Sequence, residues 1–93
     1  MMFLELDLNH PTFQKQLVAL EKTEVLEVIR TLKKLMQLEW KQLYADQGLK
    51  WEYISARDFY TLRASQKIRI AARREGNILC LLSIHPDQDS AYE

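Results

Sequence analysis

Hydrophobic and polar residues alternate at the start of the chain. Between residues 2 and 8 one side carries Leu4, Leu6 and Leu8 and the other carries Phe3, Glu5 and Asp7. This period of two predicts a strand with one buried face. After the turn around Pro11, Phe13, Leu17 and Leu20 recur at helical steps, which predicts a short helix over residues 12–21.

A longer amphipathic stretch begins at Thr23. Its apolar residues recur at steps of three and four: Val25, Leu26, Val28, Ile29, Leu32, Leu35 and Met36. Glutamates come early in the stretch and lysines late, which complements the helix dipole. The pattern predicts one amphipathic helix that ends before Gly48, a residue that can stop a helix.

After Gly48 the spacing becomes that of strands. Four runs predict strands: Trp51–Ala56, Phe59–Ala64, Ile68–Arg73 and Ile78–Ile84. The segments "ASQK" and "REGN" between them suit hairpin turns. The predicted order is a strand, two helices and then three or four strands in a meander, in short β-α-α-β-β-β. It predicts an α+β fold in which two N-terminal helices pack on one face of a mainly antiparallel twisted sheet. The 93 residues predict a single domain over 1–93, and a chain this short can complete its burial as a homodimer or with a partner.

Composition narrows the class of protein. The sequence has no apolar run long enough to span a membrane, and its start lacks the basic region of a signal peptide. Cys80 is the only cysteine, so we interpret it as a strand residue rather than part of a disulfide framework. These features predict a cytoplasmic protein.

Charge is distributed unevenly, although 13 basic and 13 acidic residues cancel. Residues 57–74 carry six basic side chains and one acidic, a net charge of +5, whereas residues 75–93 carry four acids. Strand alternation puts Arg63 and Arg69 close together on the exposed face of a hairpin, with Arg73 further along. Two such arginines can hold a phosphate by forked hydrogen bonds, and the alternative is a solvated sheet face.

Two other side chains are candidates for chemistry. Glu52 alternates with two aromatic residues, so it is either a general base or an outward-facing strand acid. His85 precedes Asp87 and Asp89, all potential metal ligands, but no matching ligand cluster lies elsewhere in the sequence. We therefore predict no metal site. Three aromatic residues are interpreted as packing residues: Trp40, Tyr44 and Trp51.

Four stretches of the sequence resemble the RelE/ParE superfamily of bacterial toxins: "FQKQLVAL", "GLKWEYI", "YTLRASQKIRI" and "HPDQDSAY". The resemblance covers nearly the whole chain. It implies one of two activities, because RelE-like members cut messenger RNA in the ribosome, whereas ParE-like members poison DNA gyrase. In both groups a small antitoxin protein neutralises the toxin.

For an RNA-cutting member, the resemblance implies attack of a ribose 2′-hydroxyl on the adjacent phosphate, with no metal and no cofactor. Arg69 would then be the phosphate-stabilising cation with Arg63 beside it. Lys67 and Arg73 would add phosphate contacts. The remaining roles fall on Glu52 as general base, His85 as acid or base, and Tyr92 as the residue that orients or stacks on the substrate.

The favoured expectation is therefore the toxin of a type II toxin–antitoxin pair, acting as a ribosome-dependent messenger RNA endoribonuclease. Its expected partners are a cognate antitoxin, the ribosome and messenger RNA. Two alternatives remain: a ParE-like toxin without nuclease activity, and a family member that only binds a protein partner. The neutral net charge favours them, as do Asp87, Gln88 and Asp89, because nucleases of the family often carry basic residues in this segment.

Overall fold

The computed structural model describes residues 2–86. Within this range it contains three helices and five strands. In chain order they are β1 (Glu5–Asp7), α1 (Pro11–Ala19), α2 (Lys22–Leu35), α3 (Trp40–Ala45), β2 (Glu52–Ile54), β3 (Phe59–Arg63), β4 (Arg69–Glu75) and β5 (Ile78–His85). None of these helices is long and apolar enough to cross a membrane.

The five strands form one sheet in the order β1-β5-β4-β3-β2. Strands β2 to β5 are antiparallel neighbours in a meander, and β1 joins the far side of β5 in parallel. The predicted mainly antiparallel α+β fold is therefore confirmed. Its one parallel pair follows from the helices that separate β1 from the meander, since a parallel partner needs a long crossover.

One face of the sheet packs against the helices and forms the core. Leu62, Ile70 and Ile84 are fully or almost fully buried there, as is Phe13 of α1. Leu32 of α2 belongs to the same cluster, as its position in the apolar stripe predicted. The stripe is narrower than its sequence pattern, however, because Leu26, Ile29 and Met36 are exposed. They lie on the side of α2 that turns away from the sheet.

The single long helix predicted after Thr23 is wrong, because α2 ends at Leu35 and α3 begins at Trp40. The second helix has its own start signal, a capping box in which the Glu39 N–H donates to Gln42 Oε1 at 2.8 Å. The break also frees the Leu38 carbonyl, which accepts a hydrogen bond from Leu4 N at 2.8 Å. The interruption therefore ties the helical layer to the start of the sheet.

Two predicted strands are shorter in the structure. β1 covers only Glu5–Asp7, and Leu8 is exposed rather than buried. The predicted strand Trp51–Ala56 stops at Ile54, because the chain turns back there with Asp58 N donating to Ile54 O at 2.9 Å. Asp58 takes the left-handed conformation, with φ of 54°, which a short polar side chain tolerates in a tight turn.

Candidate functional site

Three predicted site residues form one row across the open face of the sheet, the face turned away from the helices. Arg63 on β3 pairs with Arg69 on β4, and Arg69 pairs with His85 on β5. Directly opposite residues have Cβ atoms about 4.5–5.5 Å apart. This basic row of Arg63, Arg69 and His85 therefore brings two guanidinium groups and an imidazole side by side.

A β-bulge in β5 turns His85 toward this face. Ala72 pairs with Leu81, but the preceding Ala71 pairs with Ser83, so β5 contains one extra residue between them. The extra residue reverses the alternation: Leu81 faces the core, whereas Ser83 and His85 face the open side. Bulges commonly re-aim side chains next to functional sites.

The β3–β4 turn fixes the two arginines. Its backbone is closed by Ala64 N donating to Ile68 O at 3.0 Å, and the Ser65 hydroxyl accepts from Ile68 N at 3.1 Å. The Ser65 carbonyl in turn accepts from Arg63 Nε at 3.2 Å and from Arg69 Nη1 at 3.1 Å. Both guanidinium groups are thus anchored on one carbonyl oxygen.

Arg69 is buried, with 5% of its surface exposed, so the prediction of an exposed position is wrong for this residue. Its guanidinium folds back under the hairpin turn, where the carbonyls of Ser65, Gln66 and Ile68 lie within 3.5 Å of Nη1. These carbonyls offset the loss of hydration that a buried cation suffers. Arg63 is half-buried, so the two arginines differ in access to solvent.

His85 is half-buried on the open face. Its Nε2 lies 2.9 Å from Ser83 Oγ, and its ring centroid is 6.5 Å from that of Phe59. Burial lowers the pKa of His85, and the positive charge of Arg57 lowers this pKa further. The imidazole is therefore neutral at pH 7, the form in which it can accept a proton.

Glu52 and Lys67 lie beside the basic row rather than in it. Glu52 pairs with Thr61, which makes it a diagonal neighbour of Arg63 at about 7–8 Å but leaves it two strands from Arg69. Thr61 itself lies on the open face and is buried. Lys67 is exposed in the hairpin turn.

Arg73 lies apart from the row, four residues further along β4, or about 13 Å. Its Nε and Nη2 both donate to the carbonyl of Asp58 at 3.3 Å. The predicted phosphate site is therefore divided between two places. Tyr92 lies outside the described residues, as do Asp87, Gln88 and Asp89.

Arg57 and Phe59 belong to the site but were not predicted as part of it. Both come from the segment after β2. The charge of Arg57 lowers the pKa of His85, and the ring of Phe59 packs near the imidazole. Arg57 could have been suspected, since it is the first residue of the basic block. Phe59 gave no signal beyond its place in an alternating strand.

No protein-family model matches the chain, and no curated protein sequence does either. Among solved structures the fold is similar to that of a toxin from Helicobacter pylori, a copper-bound point mutant. The TM-score is 0.53 and the identity 20%, over 97% of this chain and 98% of that chain. At this identity the likeness establishes architecture alone, and it agrees with the α+β fold that the sequence predicted.

Proposed function

We propose that the chain is the toxin of a type II toxin–antitoxin pair and cuts messenger RNA without a metal ion. The observation that carries the proposal is the basic row, in which a buried arginine, a second arginine and a neutral histidine stand side by side. The fold it shares with the Helicobacter pylori toxin supports the toxin assignment.

The proposed reaction is an internal displacement at phosphorus. The ribose 2′-oxygen attacks the adjacent phosphate while the bond to the 5′-oxygen of the next nucleotide breaks. The products are a 2′,3′-cyclic phosphate and a free 5′-hydroxyl, so no water, metal or cofactor is consumed. Negative charge grows on the non-bridging oxygens in the transition state, and fixed cations stabilise that charge.

Arg69 and Arg63 are suited to this stabilisation because the Ser65 carbonyl holds both in place before substrate arrives. A guanidinium group has five N–H donors in a rigid fork that matches two phosphate oxygens. The contacts with the Ser65 carbonyl hold the two guanidinium groups in place through neutral acceptors.

His85 supplies the proton transfer in the proposed mechanism. For this step His85 takes the tautomer whose Nε2–H points to Ser83 Oγ, and Nδ1 accepts the proton of the 2′-hydroxyl. The imidazolium returns this proton to the leaving 5′-oxygen, which balances the reaction. Glu52 is less suited to the same phosphate, since it is two strands from Arg69.

The test begins with induced expression of the chain in a bacterial host. We expect growth to stop, translated messages to acquire new 5′-hydroxyl ends, and co-expression of a small neighbouring gene product to restore growth. Growth arrest with intact messages and inhibited gyrase would instead establish the ParE-like alternative. If the chain binds a protein partner but does not arrest growth, both the nuclease-toxin and the ParE-like toxin hypotheses are contradicted.

A further inference from the structure

A notch lies at the end of β4 opposite to the basic row. The register between β3 and β4 ends at the Tyr60–Ala72 pair, so Arg73–Glu75 continue along β5 alone. The space beside them is a groove of about 480 Å³, a volume typical of small-molecule sites. Six residues supply most of its wall: Tyr44, Tyr53, Phe59, Tyr60, Arg73 and Arg74.

Two arginines are fixed at this notch without a carboxylate. Arg73 donates two N–H groups to the Asp58 carbonyl. Arg74 donates to the Gly76 carbonyl at 2.9 Å and to the Tyr44 hydroxyl at 3.3 Å, and its guanidinium lies 4.2 Å from the centre of the Trp40 ring. Within residues 2–86 neither arginine forms an ion pair, and each retains N–H donors for a ligand.

Aromatic rings form the rest of the notch. Tyr53 and Tyr44 are 50% and 53% exposed. Tyr53 packs against Tyr60 at 5.2 Å, and Tyr60 is stacked on Trp51 at 4.6 Å with the ring planes 4° apart. A stacked set of rings gives the exposed tyrosine a rigid backing. A flat aromatic ligand can therefore stack on Tyr53 at little cost in side-chain entropy.

Two acids line the same groove, but both are engaged. The Asp58 carboxylate accepts a hydrogen bond from the Tyr53 hydroxyl at 2.7 Å, so it helps to fix this ring. Glu75 interacts with Cys80, the thiol whose pKa is raised by burial and then by this carboxylate. The cationic donors that line the groove are Arg73 and Arg74.

From this arrangement we propose that the notch binds one nucleotide of single-stranded RNA, with its base on Tyr53 and its phosphate on Arg73 and Arg74. The exposed ring of Tyr53 suits an aromatic ligand group. Arg73 and Arg74, which form no ion pair within residues 2–86, suit an anionic group on the same ligand. The identity of the strand as RNA rests on the proposed function.

The notch is continuous with the basic row through Phe59. This residue lines the groove, and its ring also lies 6.5 Å from that of His85. One strand can therefore occupy both places, with the phosphate to be cut at Arg69 and a flanking nucleotide in the notch. The notch thus serves to position the strand and contributes no group to the chemistry.

The probe is a hexa-adenylate with 2′-O-methyl groups, which lacks the nucleophile and so cannot be cleaved. Binding is followed by tryptophan fluorescence, because Trp40 lies under Arg74 and Trp51 is stacked on Tyr60. The test variants are Tyr53→Leu and Arg73→Gln. Their controls are Tyr53→Phe, which keeps the ring, and Arg30→Gln, which removes an exposed arginine of α2.

We expect Tyr53→Leu to raise the dissociation constant roughly five- to 150-fold, the effect of losing one stacked base, and Tyr53→Phe to have little effect. Arg73→Gln should weaken binding and make the slope of log affinity against log salt shallower by about 0.7, the loss of one phosphate contact. Arg30→Gln should leave both quantities unchanged. Adenosine 5′-monophosphate should compete with the probe better than inorganic phosphate does.

Unchanged affinity for the probe in both test variants would contradict the proposed nucleotide site. Equal competition by inorganic phosphate and adenosine 5′-monophosphate would also contradict it, because it would indicate a simple anion site. The outcome is separable from that of the proposed function. If the protein binds the probe through Tyr53 and Arg73 but cuts no message, the binding site in the notch is supported and the nuclease proposal is contradicted. If the protein cuts messages and both variants bind the probe normally, the nuclease proposal is supported and the binding site in the notch is contradicted.

Discussion

His85 lies directly across from Arg69 on the open face of the sheet, because β5 contains one extra residue opposite Ala71. Without that bulge, His85 would share a face with Leu79 and Leu81, both of which are buried in the core. The bulge thus places a titratable side chain beside a buried cation. Several of the consequences can be measured.

Replacing His85 with glutamine removes the proton acceptor but keeps a polar side chain that can bond to Ser83. We expect message cleavage to fall about 10²- to 10⁴-fold, the usual contribution of general acid–base catalysis. His10→Gln is the matched control, since His10 is the other histidine of the chain and is exposed before α1. Equal activity of the two variants would remove His85 from the mechanism.

The rate of cleavage should depend on pH through the same residue. Because burial and the charge of Arg57 lower the pKa of His85, most of the imidazole is in its neutral, basic form at pH 7. Cleavage should therefore be level above the ordinary histidine pKa of about 6.5 and decline only in more acidic solution. A rate that rises on acidification would show that His85 acts first as the acid.

Folding stability should respond to acid in the same direction. A histidine whose pKa is lower in the folded state takes up its proton more readily when unfolded. The stability that this provides is present above about pH 6.5 and is lost as the pH falls through the folded value. Denaturant unfolding as a function of pH should therefore show a steeper loss for the wild type than for His85→Gln. Parallel curves would contradict the burial of His85.

The two arginines of the basic row should differ in their effects. Arg69→Ala should reduce cleavage about 10²- to 10³-fold and also cost about 1.5–3 kcal/mol of stability, because it removes a buried, charged hydrogen-bond donor. Arg63→Ala should also slow cleavage, but with a smaller loss of stability, since Arg63 is half-buried. Unfolding curves and RNA end mapping measure the two quantities separately, and Arg30→Ala is the control. Unaltered cleavage by Arg69→Ala would contradict its role.

Leu32 tests the packing of α2 on the sheet. It is buried, so Leu32→Ala should lower the free energy of unfolding by about 2–5 kcal/mol. Leu26, on the same helix, is 48% exposed, and Leu26→Ala should cost less than about 1 kcal/mol. Denaturant unfolding of the two variants compares an identical chemical change on two sides of one helix. Similar losses would mean that the core face of α2 is misassigned.

The elements that depend on local periodicity could be predicted from the sequence alone. The alternation around Arg63 and Arg69, with a short turn between them, was enough to predict that they are neighbours, because a tight hairpin leaves little freedom of register. The helical spacing around Leu32 likewise identified a core position. Both inferences rest on residues that are close in the chain.

Features that depend on distant or irregular pairing could be seen only in the folded chain. A regular alternation of side chains does not predict the bulge that turns His85 toward Arg69. The parallel pairing of β1 with β5 depends on where the intervening helices return the chain to the sheet. The break before Trp40 leaves the Leu38 carbonyl free to accept a hydrogen bond from Leu4, the residue just before β1. Burial of Arg69 depends on carbonyls that only the closed hairpin turn collects around one nitrogen. The bulge, the β1–β5 pairing and the hydrogen bond from Leu4 N to Leu38 O join segments that are far apart in the chain. The carbonyls around Arg69 are close in the chain but converge only when the turn closes. A pattern of hydrophobic and polar residues encodes neither kind of contact.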